Sequence, residues 1–191
     1  MSDKIVSKLF EDHRALAEKM LTDEMQERVT AAGNHLIKAL QNGSTIFVAG
    51  NGGSAADAQH FAAELTGRFE SKTRRPLPGI SLTTDTSALT AMSNDFGFEM
   101  VFARQVEALG RPGDVLVGIS TSGRSHNIME AMDKAFALGL TCIGLVGQDG
   151  SAVAPYCAEV VAIPGASTAR VQEMHIVTIH AWCAMIDAAF G

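Results

Sequence analysis

The chain is poor in cysteine, in tryptophan and tyrosine, and in charge: 191 residues carry three Cys, one Trp, one Tyr and 19% charged side chains. Cys142, Cys157 and Cys183 are odd in number and show no CxxC spacing. That speaks against a disulfide framework and for reduced thiols in the cytoplasm. No run of eighteen apolar residues occurs, so no membrane span is expected. The start, Met1-Ser2-Asp3-Lys4-Ile5, lacks the apolar core of a signal peptide. Positive charge is also scarce, and the net charge of −6 argues against a nucleic-acid footprint. No GK[ST] follows a glycine turn, which excludes a P-loop. Ser120 and Ser122 lack the GxSxG flanks of a hydrolase elbow. Gly50-x-Gly52-x-x-Ala55 fits a permissive dinucleotide fingerprint, but Glu70 precedes the second strand instead of ending it, so NAD is discounted.

What is present is an apolar content of 47%, enough for one compact domain over 1–191. Helical spacing of Leu9, Leu16, Met20, Val29, Leu36 and Leu40 predicts two helices over 3–21 and 23–41, with Thr22 capping the second. This segment, 1–41, reads as a helical arm packing against another subunit. From residue 45 the pattern alternates. Strands are expected at Thr45–Ala49, Gly79–Leu82, Asp114–Ile119, Leu140–Val146 and Glu159–Ile163. Helices are expected at 54–68, 86–93, 97–109, 125–138 and 168–189. Short apolar runs joined through helices imply a five-stranded parallel sheet covered on both faces, an α/β core over 45–191. The basic segment 70–78 reads as a solvated connection.

Two small-residue turns each follow a strand and open a helix: Gly50-Asn51-Gly52-Gly53-Ser54 and Ser120-Thr121-Ser122-Gly123-Arg124-Ser125. Small residues let backbone N–H groups approach a ligand, and a helix start adds partial positive charge. Together they suggest a pocket for a phosphorylated small molecule. The helix after the first turn carries Asp57, His60 and Glu64 on one face, with Arg68 continuing the stripe. A carboxylate and an imidazole so placed can act as base and acid, or as metal ligands, or be the polar face of an ordinary helix. The last helix carries Gln172, Glu173, His175 and His180. Gln172 and His180 stand eight residues apart, about 12 Å along a straight helix. If both serve one compact site, they come from different chains. In Ser93-Asn94-Asp95-Phe96-Gly97-Phe98, a polar turn before a helix, Asp95 caps that helix or accepts bonds from sugar hydroxyls.

Taken with His60-Phe61-Ala62-Ala63-Glu64-Leu65-Thr66-Gly67-Arg68, Gly118-Ile119-Ser120-Thr121-Ser122-Gly123 and Arg170-Val171-Gln172-Glu173-Met174-His175, these segments resemble the sugar isomerase (SIS) family along almost the whole chain. The resemblance implies a flavodoxin-like sheet, a homotetramer, and isomerisation of sedoheptulose 7-phosphate to D-glycero-D-manno-heptose 7-phosphate for lipopolysaccharide heptose. It implies that Ser120, Thr121, Ser122 and Ser125 hold the phosphate, while Asn51, Gly52, Gly53, Glu64, Asn94, Asp95 and Gln172 meet the sugar. Glu64 and His180 would be the acid–base pair. Some members bind zinc, which here would use His60, Glu64, Gln172 and His180. Ala169 departs from the acidic residue some relatives carry, and Ala55 and Ala56 replace bulkier ones. An alternative within the same resemblance is a non-catalytic tetrameric protein that binds the replication initiator. Such a protein would have no need of the Glu64 and His180 pair.

Overall fold

The computed structural model describes residues 2–191, with the elements α1 (Ser2–Lys19), α2 (Asp23–Gln41), β1 (Ile46–Gly50), α3 (Gly53–Thr66), β2 (Gly79–Ser81), α4 (Thr86–Phe96), α5 (Ala103–Leu109), β3 (Val115–Ser120), α6 (His126–Ala137), β4 (Thr141–Val146), β5 (Cys157–Ala162) and α7 (Thr168–Phe190). The sheet has strand order β2-β1-β3-β4-β5, and every neighbouring pair is parallel. This is the flavodoxin-like order, with its switch point between β1 and β3.

Period-two alternation sorts the strand side chains onto two faces. Ile46, Val48, Val115, Val117, Ile143 and Leu145 pack with Leu36, Leu40, Phe61, Leu65, Trp182 and Ile186 from α2, α3 and α7. Phe47, Leu116, Cys142 and Val146 pack on the other face with Val106, Ile128, Met132 and Ala135 from α5 and α6. With both faces covered, β1 and β3 are buried along their whole length, which is why they read as continuous apolar runs.

Four expectations shift. Helix α2 is a wall of the core and not a free arm: Ala32, Leu36 and Leu40 are fully buried, and the Trp182 indole N–H donates to the Val29 carbonyl at 2.9 Å. Of the large apolar residues left exposed in this segment, Ile5, Val6, Leu9 and Phe10 lie on α1 and Leu21 in the turn that follows it. Helix α4 runs on through Ser93-Asn94-Asp95 and stops at Gly97, whose φ of +89° only glycine adopts freely. Asp95 therefore caps no following helix; Asp85 caps α4 itself, accepting from the Ala88 N–H at 2.9 Å. The helix expected at 97–109 is broken into a 3-10 turn at Phe98–Met100 and a short α5. Segment 70–78 is not simply solvated, because Arg74 is buried within it. The Thr22 cap of α2 stands as read, accepting from the Met25 N–H at 3.4 Å.

Candidate active site

The two turns emerge side by side at the carboxyl ends of β1 and β3, where Gly50 is in register with Ile119. Chains leaving a parallel sheet on opposite sides open a crevice at that point. Asn51 and Asn127 bridge it: each side-chain amide N–H donates to the other's carbonyl oxygen at 2.8 Å. Asn127 is buried, and the sequence reading missed it. A polar residue in the first turn of a helix that follows a serine turn was the available signal.

The second turn folds onto itself. Ser120 Oγ lies 2.9 Å from Ser125 Oγ and 3.4 Å from Ser122 Oγ, and Ser122 Oγ accepts from the Arg124 N–H at 3.2 Å. Gly123 holds a φ of +67°, and a Cβ there would stand 1.9 Å from the Asp149 carbonyl oxygen. Backbone, not side chain, fills that space. Helix α6 begins next without a side-chain cap, so its first N–H groups are available to an anion.

Helices α3 and α7 pack side by side along one flank of the crevice. His60 Nε2 and His180 Nε2 are 2.8 Å apart, one donating and the other accepting. Glu64 Oε1 lies 3.7 Å from His60 Nδ1, and the Phe69 ring packs 5.2 Å from the His180 ring. His60 thus links Glu64 to His180 within a single chain. Gln172 goes elsewhere: its amide donates to Asp57 Oδ1 at 3.1 Å and lies against Gly53, where a Cβ would meet its Nε2 at 2.5 Å. Gln172 and His180, eight residues apart on α7, meet different partners. Glu64 and His180 lie on either side of His60 within one chain. Asp57 is buried and its Oδ2 has no partner. Burial holds its carboxyl above the ordinary carboxylate range, against the opposing Gln172 bond and the nearby His60. Asn94 and Asp95 are exposed at the end of α4, where Asn94 donates to Asp95 at 2.8 Å.

Two imidazoles and a carboxylate are donors that zinc accepts, and the facing Nε2 atoms of His60 and His180 converge on one point. The set fits the metal in donor type. Among the described residues, no three His, Cys, Asp or Glu side chains stand close enough to close a shell.

The β1/β3 switch point, with serine and glycine turns emerging there and carboxylate and imidazole on α3 and α7, is where a doubly wound α/β domain takes its ligand. Residues 9–147 match the SIS domain, and the chain belongs to that family. It is 50% identical over 186 residues to the phosphoheptose isomerase of Campylobacter jejuni, covering 97% of this chain and 98% of that one. It is equally 50% identical over 190 residues to the phosphoheptose isomerase of Nitratiruptor, covering 100% of both chains. The solved phosphoheptose isomerase GmhA of Neisseria gonorrhoeae superposes with a TM-score of 0.92 at 43% identity, over 98% of this chain and 100% of that one.

Proposed function

We propose that this chain is a phosphoheptose isomerase, an aldose–ketose isomerase that converts sedoheptulose 7-phosphate to D-glycero-D-manno-heptose 7-phosphate for heptose and lipopolysaccharide biosynthesis. What supports the reading is the single-chain cluster of Glu64, His60 and His180, with Glu64 and His60 on the helix that the glycine turn opens.

The phosphate sits on Ser120, Thr121, Ser122 and Ser125, against the uncapped start of α6. Asn51, Gly52 and Gly53 line the sugar, with Asn94 and Asp95 as further hydroxyl partners. The Glu64 carboxylate takes a proton from carbon 1 of the open-chain ketose. The C–H electrons form the C1–C2 double bond, and the carbonyl oxygen at carbon 2 gains a proton, giving an enediol. The hydroxyl at carbon 1 then gives up its proton as it becomes the carbonyl, and Glu64 returns a proton to carbon 2. His180 exchanges the protons on the oxygens and assists ring opening, and His60 orients both partners.

Zinc would draw on His60, Glu64, Gln172 and His180, with Glu64 and Gln172 moving from the partners they hold here to close the shell. When bound, it supplies Lewis-acid polarisation of the sugar oxygens. The assembly is a homotetramer with sites at subunit interfaces. The exposed apolar face of α1, where Ile5, Val6, Leu9 and Phe10 lie, and α4, none of whose residues is buried, support it. Free thiols at Cys142, Cys157 and Cys183 favour a reducing, cytoplasmic setting. No described helix is long and apolar enough to cross a membrane.

A coupled assay on sedoheptulose 7-phosphate tests the reading. Wild type turns over, and Glu64→Gln loses about 10²- to 10⁴-fold in kcat, the span of a general base. A folded wild-type protein without turnover, with or without added zinc, overturns it and points to the binding role.

A further inference from the structure

The strap between α3 and β2 holds a buried cation that the proposed chemistry does not use. The Arg74 side chain is 1% exposed. Its Nη2 donates to the Glu64 carbonyl oxygen at 2.5 Å, and its Nη1 donates to the Leu65 and Arg75 carbonyl oxygens at 3.0 and 2.8 Å. Its Nε donates to Asp187 Oδ1 at 2.6 Å. Glu64 and Leu65 stand in the last turn of α3, where carbonyls lack helical partners and a cation complements the helix dipole. Asp187 lies on α7, seven residues, about two turns, beyond His180. Its other oxygen accepts from the Glu70 and Ser71 N–H groups at 2.8 and 2.7 Å. Burial would raise this carboxyl, but the Ser71 bond, the Arg74 guanidinium and the Glu70 bond hold it below its ordinary value. The strap grips α7 twice more, through Phe69 on His180 and through Arg75, whose guanidinium lies 5.4 Å from the Phe190 ring centre.

We propose that Arg74 is a positioning residue: with Asp187 it clamps the backbone of Glu64 to α7 and so sets the distance between Glu64 and His60 on α3 and His180 on α7. The proposal rests on the roles assigned above to Glu64 and His180. One planar fork bonds the very residue that carries the base and the helix that carries the imidazole. Sliding α3 on α7 would break several charge-assisted bonds at once, at a buried place where water cannot replace them. Lysine keeps the charge but, as a point donor, lacks the fork that spans these acceptors.

The test is Arg74→Lys, assayed where circular dichroism shows it fully folded. A misplacement near 1 Å costs about 10²-fold in rate, so kcat is expected to fall about 10- to 100-fold. KM stays within about twofold, because the phosphate turn lies on β3 and α6, outside the clamp. Ile143→Val, a core change in β4, is the control for stability loss without the clamp, and it keeps wild-type kcat. Imidazole ¹⁵N resonances of His60 and His180 give a readout independent of turnover and are expected to move in Arg74→Lys only. Wild-type kcat and unmoved resonances in folded Arg74→Lys overturn the clamp. Moved resonances in Arg74→Lys together with full turnover by Glu64→Gln would leave the clamp standing and sink the role of Glu64. If Arg74→Lys does not fold, Asp187→Asn carries the same comparison, since it keeps the shape and an accepting oxygen.

Discussion

The pair Asn51–Asn127 is the residue-scale feature that joins the two turns. Asn127→Ala leaves the Asn51 amide with neither of its partners, at a cost of about 1–3 kcal/mol in stability. The expected kinetic signature is a KM for the sugar phosphate raised about tenfold with kcat nearly kept, measured by the coupled assay. His175 is the other residue whose surroundings have a measurable consequence. It is fully buried, neither ring nitrogen has a side-chain or backbone bond of good geometry, and burial pushes it from 6.5 down to about 4 despite the Val146 carbonyl nearby. Between pH 6.5 and 4 the unfolded chain binds a proton that the folded one refuses. Stability is therefore lost as acid is added across that window and is flat on either side of it, by on the order of 3 kcal/mol in all. Thermal melts from pH 7 to 4 are expected to fall steeply for wild type and less for His175→Gln. Equal slopes would show that other groups set the acid limb. Neither feature was visible as such from spacing: the run Arg170–His175 was noted, but the sequence does not say which of its polar groups lack partners.

At the scale of elements, the serine turn is set by backbone contact. Gly123 pairs a left-handed φ with an approach to the Asp149 carbonyl that no side chain survives. Gly123→Ala is expected to displace the serine turn, raising KM at least tenfold with a smaller loss of kcat, since α3 and α7 are untouched. Unchanged KM would remove this turn from phosphate binding. The strands, the helices that cover them and the two turns were legible because each is encoded within a dozen residues, as a period, a cap or a glycine. The break after Phe96 was misplaced for the same reason. Ser93-Asn94-Asp95 has the composition of a turn, yet packing and the Asp85 cap carry the helix on until Gly97. Arg74 was read as solvated because a basic, proline-bearing stretch usually is; its partners lie up to 113 residues away.

For the whole molecule, the exposed face of α1 calls for a partner. Phe10 is 72% exposed, with Ile5 and Val6 beside it at 59% and 54%. Apolar clusters of this kind on a helix mark association sites. Phe10→Glu is expected to lower the mass seen by analytical ultracentrifugation below that of the wild-type protein; an unaltered mass assigns the interface elsewhere. Complementation tests the shared site. Because one chain supplies both Glu64 and His180, mixed oligomers of Glu64→Gln and His180→Gln recover nothing beyond the statistical background. Mixtures of Gln172→Ala with Glu64→Gln regain activity, because one site in the mixed oligomer can then draw every group intact. No recovery after demonstrated subunit exchange would place Gln172 outside the shared site.

Local patterning alone determined the sheet, its two covering layers, the pair of small-residue turns and the helical face of Asp57, His60 and Glu64, because strand period, helix period and glycine placement are short-range properties. Only the tertiary structure decided that His180 meets His60 in its own chain while Gln172 turns to Asp57, that Asn127 closes the crevice, and that Arg74 fastens α3 to α7. Those outcomes depend on how helices distant in sequence pack across a common sheet, and that packing is a balance of burial and hydrogen bonding summed over the whole fold.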